Sequence, residues 1–313
     1  MTDGRADYQT IYFLVFLIID TMKEEIQRAV DHMLETNGVR RTFWYMDEKV
    51  EKLLFGIRQG DDAIIVGDTI VNMEGPYPLK IGRKTGLIHT CSDIVVMGGK
   101  PIFALNAMQV DSIEEAKDIS EDLKKQSIGL GVPIVGGNTQ IESDLKPCIS
   151  FTVFGKLVGK PIPDSGVKNG DRVFMLGEVV EGEIGERVHR AKVKFKAFMD
   201  MIKSGIEIHA SKDASRGGWF GNIAEMLVKS KKGIRITSIP YPRVTRYMGT
   251  YLIGIPRREV NRVVEIAAKH RCPVVEVGIV TRELQISVGD EIFVDKEKMQ
   301  ELIRGFPFRK ARI

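Results

Sequence analysis

At 313 residues, 43% of them hydrophobic, the chain exceeds the usual size of a single hydrophobic core, so two globular domains are expected. Its net charge of +4, with lysines and arginines spread along its length, speaks against a nucleic-acid-binding role. The three cysteines, Cys91, Cys148 and Cys272, are far apart and form no Cys-x-x-Cys pair, which speaks against a zinc site and points to a reducing cytoplasm.

Residues 1–21 read as an N-terminal extension. Ile11 to Ile19 is a continuous apolar run, about half as long as the ~18 residues that a membrane-spanning helix needs. Asp3 and Asp7 offset Arg5 ahead of it and no small-residue cleavage site follows, so neither a membrane span nor a signal peptide is expected. Helical spacing becomes regular after Met22, where Ile26, Val30, Met33 and Leu34 recur on one face, and a chain beginning at Met22 is expected to fold.

Residues 22–159 form the first alternating domain. Leu53 to Ile57 and Ala63 to Val66 flank the turn Arg58-Gln59-Gly60-Asp61-Asp62, a hairpin by its Gly-Asp content. Leu87, Ile88, Cys91, Ile94 and Val95 fall at helical spacing, and Gly98-Gly99 with Pro101 stop that helix. Phe103 to Val110 reads as a strand and Glu114 to Leu130 as a charged amphipathic helix. A short apolar strand, Ile134-Val135, then enters a turn at Gly136-Gly137-Asn138-Thr139, and Ile149 to Val153 is a further strand.

Residues 160–313 form a second alternating unit. Surface turns at Asp164-Ser165-Gly166 and Lys168-Asn169-Gly170-Asp171 precede a strand, Val173 to Leu176, and a helix, Glu186 to Lys203. A second glycine-rich turn, Lys212-Asp213-Ala214-Ser215-Arg216-Gly217-Gly218, opens a helix striped by Phe220, Ile223, Ala224, Leu227 and Val228 and closed by Gly233. The strand Tyr251 to Ile255, the helix Glu259 to His270 and the strand Val274 to Val280 follow. The class is α/β (α+β) in two domains.

Glycines at a strand end let backbone N–H groups approach a ligand, and a helix N-terminus adds unpaired donors and partial positive charge. The two glycine turns together suit a polyphosphate. Asp62, Asp68, Asp93 and Asp213 stand at strand ends, in a helix or in a glycine turn. Carboxylates of this kind converging in space would hold magnesium, which takes one or two of them beside phosphate oxygens and water. Each also has a local alternative: Asp62 making a turn, Asp68 capping, and Asp93, one helical turn after His89, in a local hydrogen bond. The chain has neither a Gly-x-x-x-x-Gly-Lys-Ser/Thr loop nor a Gly-x-Gly-x-x-Gly fingerprint.

The order Gly60-Asp61-Asp62-Ala63, Gly67-Asp68-Thr69-Ile70-Val71, Ser92-Asp93-Ile94 with Met97 to Pro101, Val135 to Thr139 and Asp213 to Gly218 resembles the aminoimidazole ribonucleotide synthetase (PurM-like) superfamily. The likeness runs from about residue 50 to 305, and its strength lies in the shared order of motifs that are individually weak. The superfamily includes HypE, selenophosphate synthetase, thiamine-monophosphate kinase and formylglycinamidine ribonucleotide synthetase.

The resemblance implies an N-terminal sheet domain that dimerises, a C-terminal α/β domain, and Mg-ATP in the cleft between them, used to phosphorylate an oxygen or, in one member, selenide. It implies magnesium on Asp68, Asp93 and Asp213, with Asp62 or Asp47 as a further ligand. Asp62, Asp68, Thr69, Gly136, Gly137, Asn138, Thr139, Lys212, Asp213, Ser215, Arg216, Gly217 and Gly218 would bind the nucleotide. Catalysis in such a site is positioning and charge neutralisation, with no covalent protein nucleophile.

Asp62 and Asp68 stand closer together than the family pattern has them. Either the intervening hairpin is shortened, or Gly60-Asp61-Asp62 is merely the turn between strands Lys52 to Ile57 and Ala63 to Ile70, with Asp47 nearer the ligand position. Position 138 is Asn where kinase-like members carry Asp. Residues 306–313 contain no cysteine and none precedes Cys91, so the cysteine chemistries of HypE and of selenophosphate synthetase are not expected. The remaining likeness is to an archaeal branch that includes methanogenesis marker protein 2.

Two functions stand open. One is Mg-ATP-dependent phosphoryl transfer that activates an oxygen of a small molecule or of a partner protein. The other is a non-catalytic nucleotide-binding dimer serving as an assembly or maturation factor. A cytoplasmic homodimer with no nucleic-acid or membrane partner is expected in either case.

Overall fold

The computed structural model describes residues 40–305 apart from Glu142, Ser143 and Thr245, together with Glu24, Glu25, Arg28 and Asp31. The expectations for residues 1–21 lie outside the described residues.

Six strands form the first sheet: β1 (Leu53–Phe55), β2 (Ile64–Val66), β3 (Thr69–Pro78), β4 (Gly99–Val110), β5 (Ile134–Ile141) and β6 (Cys148–Leu157). Their order is β1-β2-β3-β6-β4-β5, antiparallel except for β4 with β5. On β6 the alternating residues Ile149, Phe151 and Val153 are fully buried, which fixes the face that the helices cover. Helix α1 (Leu79–Val96) lies on this face, and α2 (Ile113–Leu130) packs beside it. At Gly86 a Cβ would stand 2.2 Å from the Phe151 ring, so only glycine lets α1 approach β6 this closely. That close approach sets the height of His89 and Asp93, one and two turns further along the helix.

The second sheet has the order β13-β12-β9-β11-β7-β10-β8. Its strands are β7 (Arg172–Leu176), β8 (Ala210–Asp213), β9 (Gly233–Ile236), β10 (Tyr251–Ile255), β11 (Val274–Thr281), β12 (Ile286–Val288) and β13 (Glu291–Val294). All neighbours are antiparallel except β9 with β12. Helices α4 (Gly218–Ser230) and α6 (Lys296–Gly305) share one core, in which Trp219, Ile223 and Leu227 meet Met299 and Leu302. Helices α3 (Ile184–Lys203) and α5 (Val260–Lys269) belong to the other core. That core is continuous between the domains: Leu87, Cys91 and Ile94 of α1 join Phe198 and Met201 of α3 and Tyr251 and Ile253 of β10. The domains therefore meet through packed apolar surface, and residues from both can be held in one site.

Three local expectations need correction. Ala63 to Ile70 is not one strand: Gly67-Asp68 turns the chain between β2 and β3, where Val66 pairs with Thr69. Gly136-Gly137 is not a turn, because β5 continues through it beside β4. A Cβ on Gly137 would stand 1.7 Å from the Asn106 carbonyl oxygen, so here glycine permits close strand approach rather than reversal. Helix α4 ends at Ser230, and Gly233 begins β9 instead of closing the helix. Among the described residues no helix is long and apolar enough to cross a membrane.

Candidate active site

A cleft of about 820 Å³ opens between the domains. The first domain contributes the β1–β2 turn, β3 and α1; the second contributes the end of β8 and the first turn of α4. Three carboxylates converge there. Asp62 follows the β1–β2 turn, Asp93 lies on α1 and Asp213 ends β8; one oxygen from each lies within 4.8 Å of the others. This is the one such cluster among the described residues. Asn72 of β3 donates to Asp93 Oδ2 at 2.6 Å, and the backbone N–H of Asp213 donates to Asp62 Oδ2 at 3.3 Å.

An ion network pins the Asp62 turn to the second domain. Lys212 Nζ lies 2.6 Å from Asp62 Oδ1, 3.4 Å from Asp164 Oδ2 and 3.5 Å from Glu225 Oε2. Lys229 pairs with Asp164 and with Glu225 and donates to the Gly60 carbonyl at 2.7 Å, while the Asp164 N–H donates to Asp61 at 2.7 Å. Burial opposes the charge on Lys212, but Asp62, Glu225 and Asp164 outweigh it and hold its ammonium well above the usual range. Burial works against Glu225 as well, yet Lys212 and Lys229 hold its carboxyl down at about 2.

The cluster itself behaves in the opposite way. Burial, reinforced by Asp213, Glu74 and Asp62, lifts the Asp93 carboxyl well above its usual range. Asp213 is pushed up to about 7 by burial and by Asp62. Three carboxylates forced together away from water favour protons, or a cation in their place. Their hard oxygen donors fit magnesium, and softer metals are not favoured by such a set.

Asp213 titrates near 3.8 when exposed and near 7 in the fold, so between those values the unfolded chain gives up a proton that the folded chain keeps. Metal-free protein should therefore lose stability as pH rises from about 4 to about 7. Magnesium should raise the melting temperature far more at about pH 8 than at about pH 5, where protons compete for the same oxygens. Melts with and without magnesium at both values check this; an equal rise at both would contradict it.

Next to the carboxylates the cleft turns aromatic. His89 packs against Tyr247 with ring centroids 4.3 Å apart and edge-on to Tyr77 at 6.1 Å, and its Nε2 lies 2.9 Å from Thr85 Oγ1. Burial, with Lys194 and Arg187 nearby, lowers the His89 pKa to about 3, so the ring is neutral at physiological pH. On the rim, Ser215, Arg216 and Gly217 lead into α4, whose N-cap is Gly217; Gly218 is buried at the first position of that helix.

The structure thus brings together Asp62, Asp93, Lys212, Asp213 and the Ser215–Gly217 turn. It does not bring in Asp68, which is exposed in the β2–β3 turn and pairs with Lys156 at 3.0 Å, so its expected place beside Asp93 and Asp213 is corrected. Nor is Thr69, at the exposed start of β3, a lining residue. Asp47 is corrected too: its carboxylate accepts the N–H groups of Ile57 and Arg58 at 3.2 and 2.9 Å and caps the hairpin turn. Of the two alternatives, Asp62 is the one that stands beside Asp93 and Asp213. Gly136, Gly137, Asn138 and Thr139 lie exposed on the edge strand β5, away from the cleft of their own chain.

Asn72, Glu74, Asp164 and Glu225 were missed. A readable sign existed for the first two: the inward row of β3 runs Ile70, Asn72, Glu74, and polar residues on a core-facing row point to a site. Asp164 and Glu225 carry no local sign.

Residues 53–157 match the N-terminal domain of the AIR synthase related proteins, and residues 171–291 match the C-terminal domain. The chain belongs to this family. Its relatives include an uncharacterised protein of Methanocaldococcus jannaschii, 49% identical over 93% of this chain and 99% of that one. Another is the selenide, water dikinase of Clostridioides difficile, 22% identical over 85% of this chain and 84% of that enzyme. Among solved structures the fold resembles Thermotoga maritima PurL complexed with ATP, with a TM-score of 0.64 at 19% identity over 83% of this chain. This AIR synthase family chain spans about half of that PurL, 47% of its length. A chain of the HypE–HypF complex gives a TM-score of 0.60 at 19% identity, covering 74% of this chain and 90% of that one. The expected PurM-like fold, two mixed α/β domains each built on one sheet, is the fold observed.

Proposed function

We propose that this AIR synthase family protein binds Mg-ATP in the interdomain cleft and transfers a phosphoryl group to an oxygen of a small molecule or of a partner protein. The observation that carries this reading is the buried triad Asp62, Asp93 and Asp213, whose charges repel each other unless a cation joins them. Bound magnesium would supply charge neutralisation for a polyphosphate. The chain's own residues do the rest. Asn72 orients Asp93, and Lys212 holds the Asp62 turn against the second domain. The Ser215–Gly217 turn offers backbone N–H groups at the N-terminus of α4, a setting suited to phosphate. The family relatives named as a selenide, water dikinase and as PurL complexed with ATP support a nucleotide-dependent reading.

Calorimetric titration with ATP in the presence and absence of magnesium tests it, followed by measurement of ADP formation with a metabolite extract. Magnesium-dependent binding with ADP release is expected. Tight binding without turnover in any extract would favour the non-catalytic assembly factor, and no binding would contradict both.

A homodimer is part of the proposal. The face of the first sheet opposite α1 carries a cross-strand row, Ile64, Val71, Phe154 and Phe103, and a second row in which Met73, Thr152 and Leu105 lead to Gly136. Met73 is 67% exposed and Val135 61% exposed. A contiguous apolar sheet face of this kind fits a second copy of the chain. That copy would give Gly136, Gly137, Asn138 and Thr139, at the rim of the face, their route to a nucleotide. Sedimentation should show a dimer at micromolar concentration and a monomer for Met73→Asp; a stable monomer of the parent would contradict the interface.

A further inference from the structure

A second hollow lies at the domain seam, separate from the cleft. It measures about 430 Å³ and is walled by Val95 at the end of α1, Leu130 at the end of α2, Val132 after it, Val158 after β6, and Phe195 and Met199 of α3. The hollow is open to solvent on one side, and most of its wall is apolar. Its volume falls within the range of small-molecule pockets, and its mostly apolar wall with a few polar groups is their usual make-up.

The rim is cationic. Lys100, Lys196 and Lys203 border the hollow, all exposed, and none makes an ion pair or side-chain hydrogen bond among the described residues. The one carboxylate at the rim, Asp200, is already engaged by Lys269 and His270, each at 2.9 Å. Lysine stems extend apolar walls while their ammonium groups stay in water, so a ligand seated in the hollow would meet apolar surface below and unpaired positive charge above. We propose that this seam hollow binds an amphipathic monoanion, a carboxylate with an aliphatic or aromatic body.

Its position gives such a ligand a short path to the carboxylate triad. The Phe195 ring in the wall stacks on Tyr251 with centroids 6.3 Å apart, and Lys194 Nζ lies 4.1 Å from the Tyr251 ring centroid. Lys194 also donates to Ser92 Oγ at 3.3 Å and to the Gly249 carbonyl. Ser92 precedes Asp93, and Tyr251 stands opposite Asp213 in the β8–β10 register. One buried ammonium on the helix that lines the hollow therefore holds the Ser92 hydroxyl of α1 and the Gly249 carbonyl ahead of β10.

The test is calorimetric titration of the full chain with dodecanoate below its micellar concentration, and with dodecyltrimethylammonium as the same tail bearing the opposite charge. One dodecanoate per chain is expected, with no comparable binding of the cation. The double variant Lys196→Glu, Lys203→Glu should weaken binding by at least about tenfold. Val158→Trp, which fills the hollow from an exposed position, should abolish it. Circular dichroism and melting establish that each variant is folded, and Lys196→Gln with Lys203→Gln replaces the charge reversal if it is not. Absence of saturable binding, equal binding of the cationic amphiphile, or folded variants that bind like the parent would each overturn the proposal.

Discussion

Asp93→Asn should abolish most magnesium-dependent nucleotide binding, on the order of 100-fold or about 2.7 kcal/mol, while raising the melting temperature of the metal-free protein. The two effects have one cause. Asp93 is buried among Asp213, Glu74 and Asp62, and its charge is disfavoured there unless a cation is present. An amide of the same shape removes one of three mutually repelling carboxylates, which favours the metal-free fold, and it removes a charged ligand, which weakens the metal-loaded state. The oxygen facing Asn72 is retained, so the α1–β3 contact survives. Titration of Mg-ATP and a thermal melt without metal measure the two directions. Unchanged affinity would make Asp93 a helix residue with no ligand role, and a lower metal-free melting temperature would contradict the repulsion on which the site rests.

Lys212→Met should be the most damaging single substitution in the cleft for stability. The methionine keeps the length and apolar stem but leaves Asp62 without a cation and Asp164 and Glu225 with Lys229 alone. Removing one partner of a buried pair costs about 3–5 kcal/mol, whereas an exposed pair is worth about 0–1 kcal/mol. Lys156→Met, which breaks only the exposed pair with Asp68, is therefore the control and should change little. Urea midpoints at neutral pH compare them. The Lys212 deficit should shrink in acid, because Asp62, whose carboxyl burial already lifts, then takes up a proton and no longer needs the ammonium. A deficit no larger than that of Lys156→Met would show that the network does not hold the Asp62 turn.

The sequence order of motifs was enough to anticipate the two-domain fold and the meeting of Asp93 with Asp213, residues 120 positions apart. Periodicity located α1, α3, β7 and β10 because each pairs strong patterning with glycine or proline at its ends. The choice between Asp62 and Asp68 was not legible. They stand at opposite ends of the short strand β2, and contacts with Lys212 and with the Asp213 N–H, both distant in sequence, select Asp62. Gly136-Gly137 misled for a related reason. Adjacent glycines serve a tight turn or a close strand approach equally well, and the carbonyl of Asn106 that decides between them belongs to another strand. Local pattern fixes elements, while the partner across the sheet or the cleft fixes what a given residue does.

The most direct test of the carboxylate triad is a crystal structure of the protein with manganese and a non-hydrolysable ATP analogue, read by the anomalous signal of the metal. Anomalous density is expected between Asp62, Asp93 and Asp213, with the analogue's phosphates beside the Ser215–Gly217 turn. Density at Asp68 or Asp47, with none among the three buried carboxylates, would contradict it.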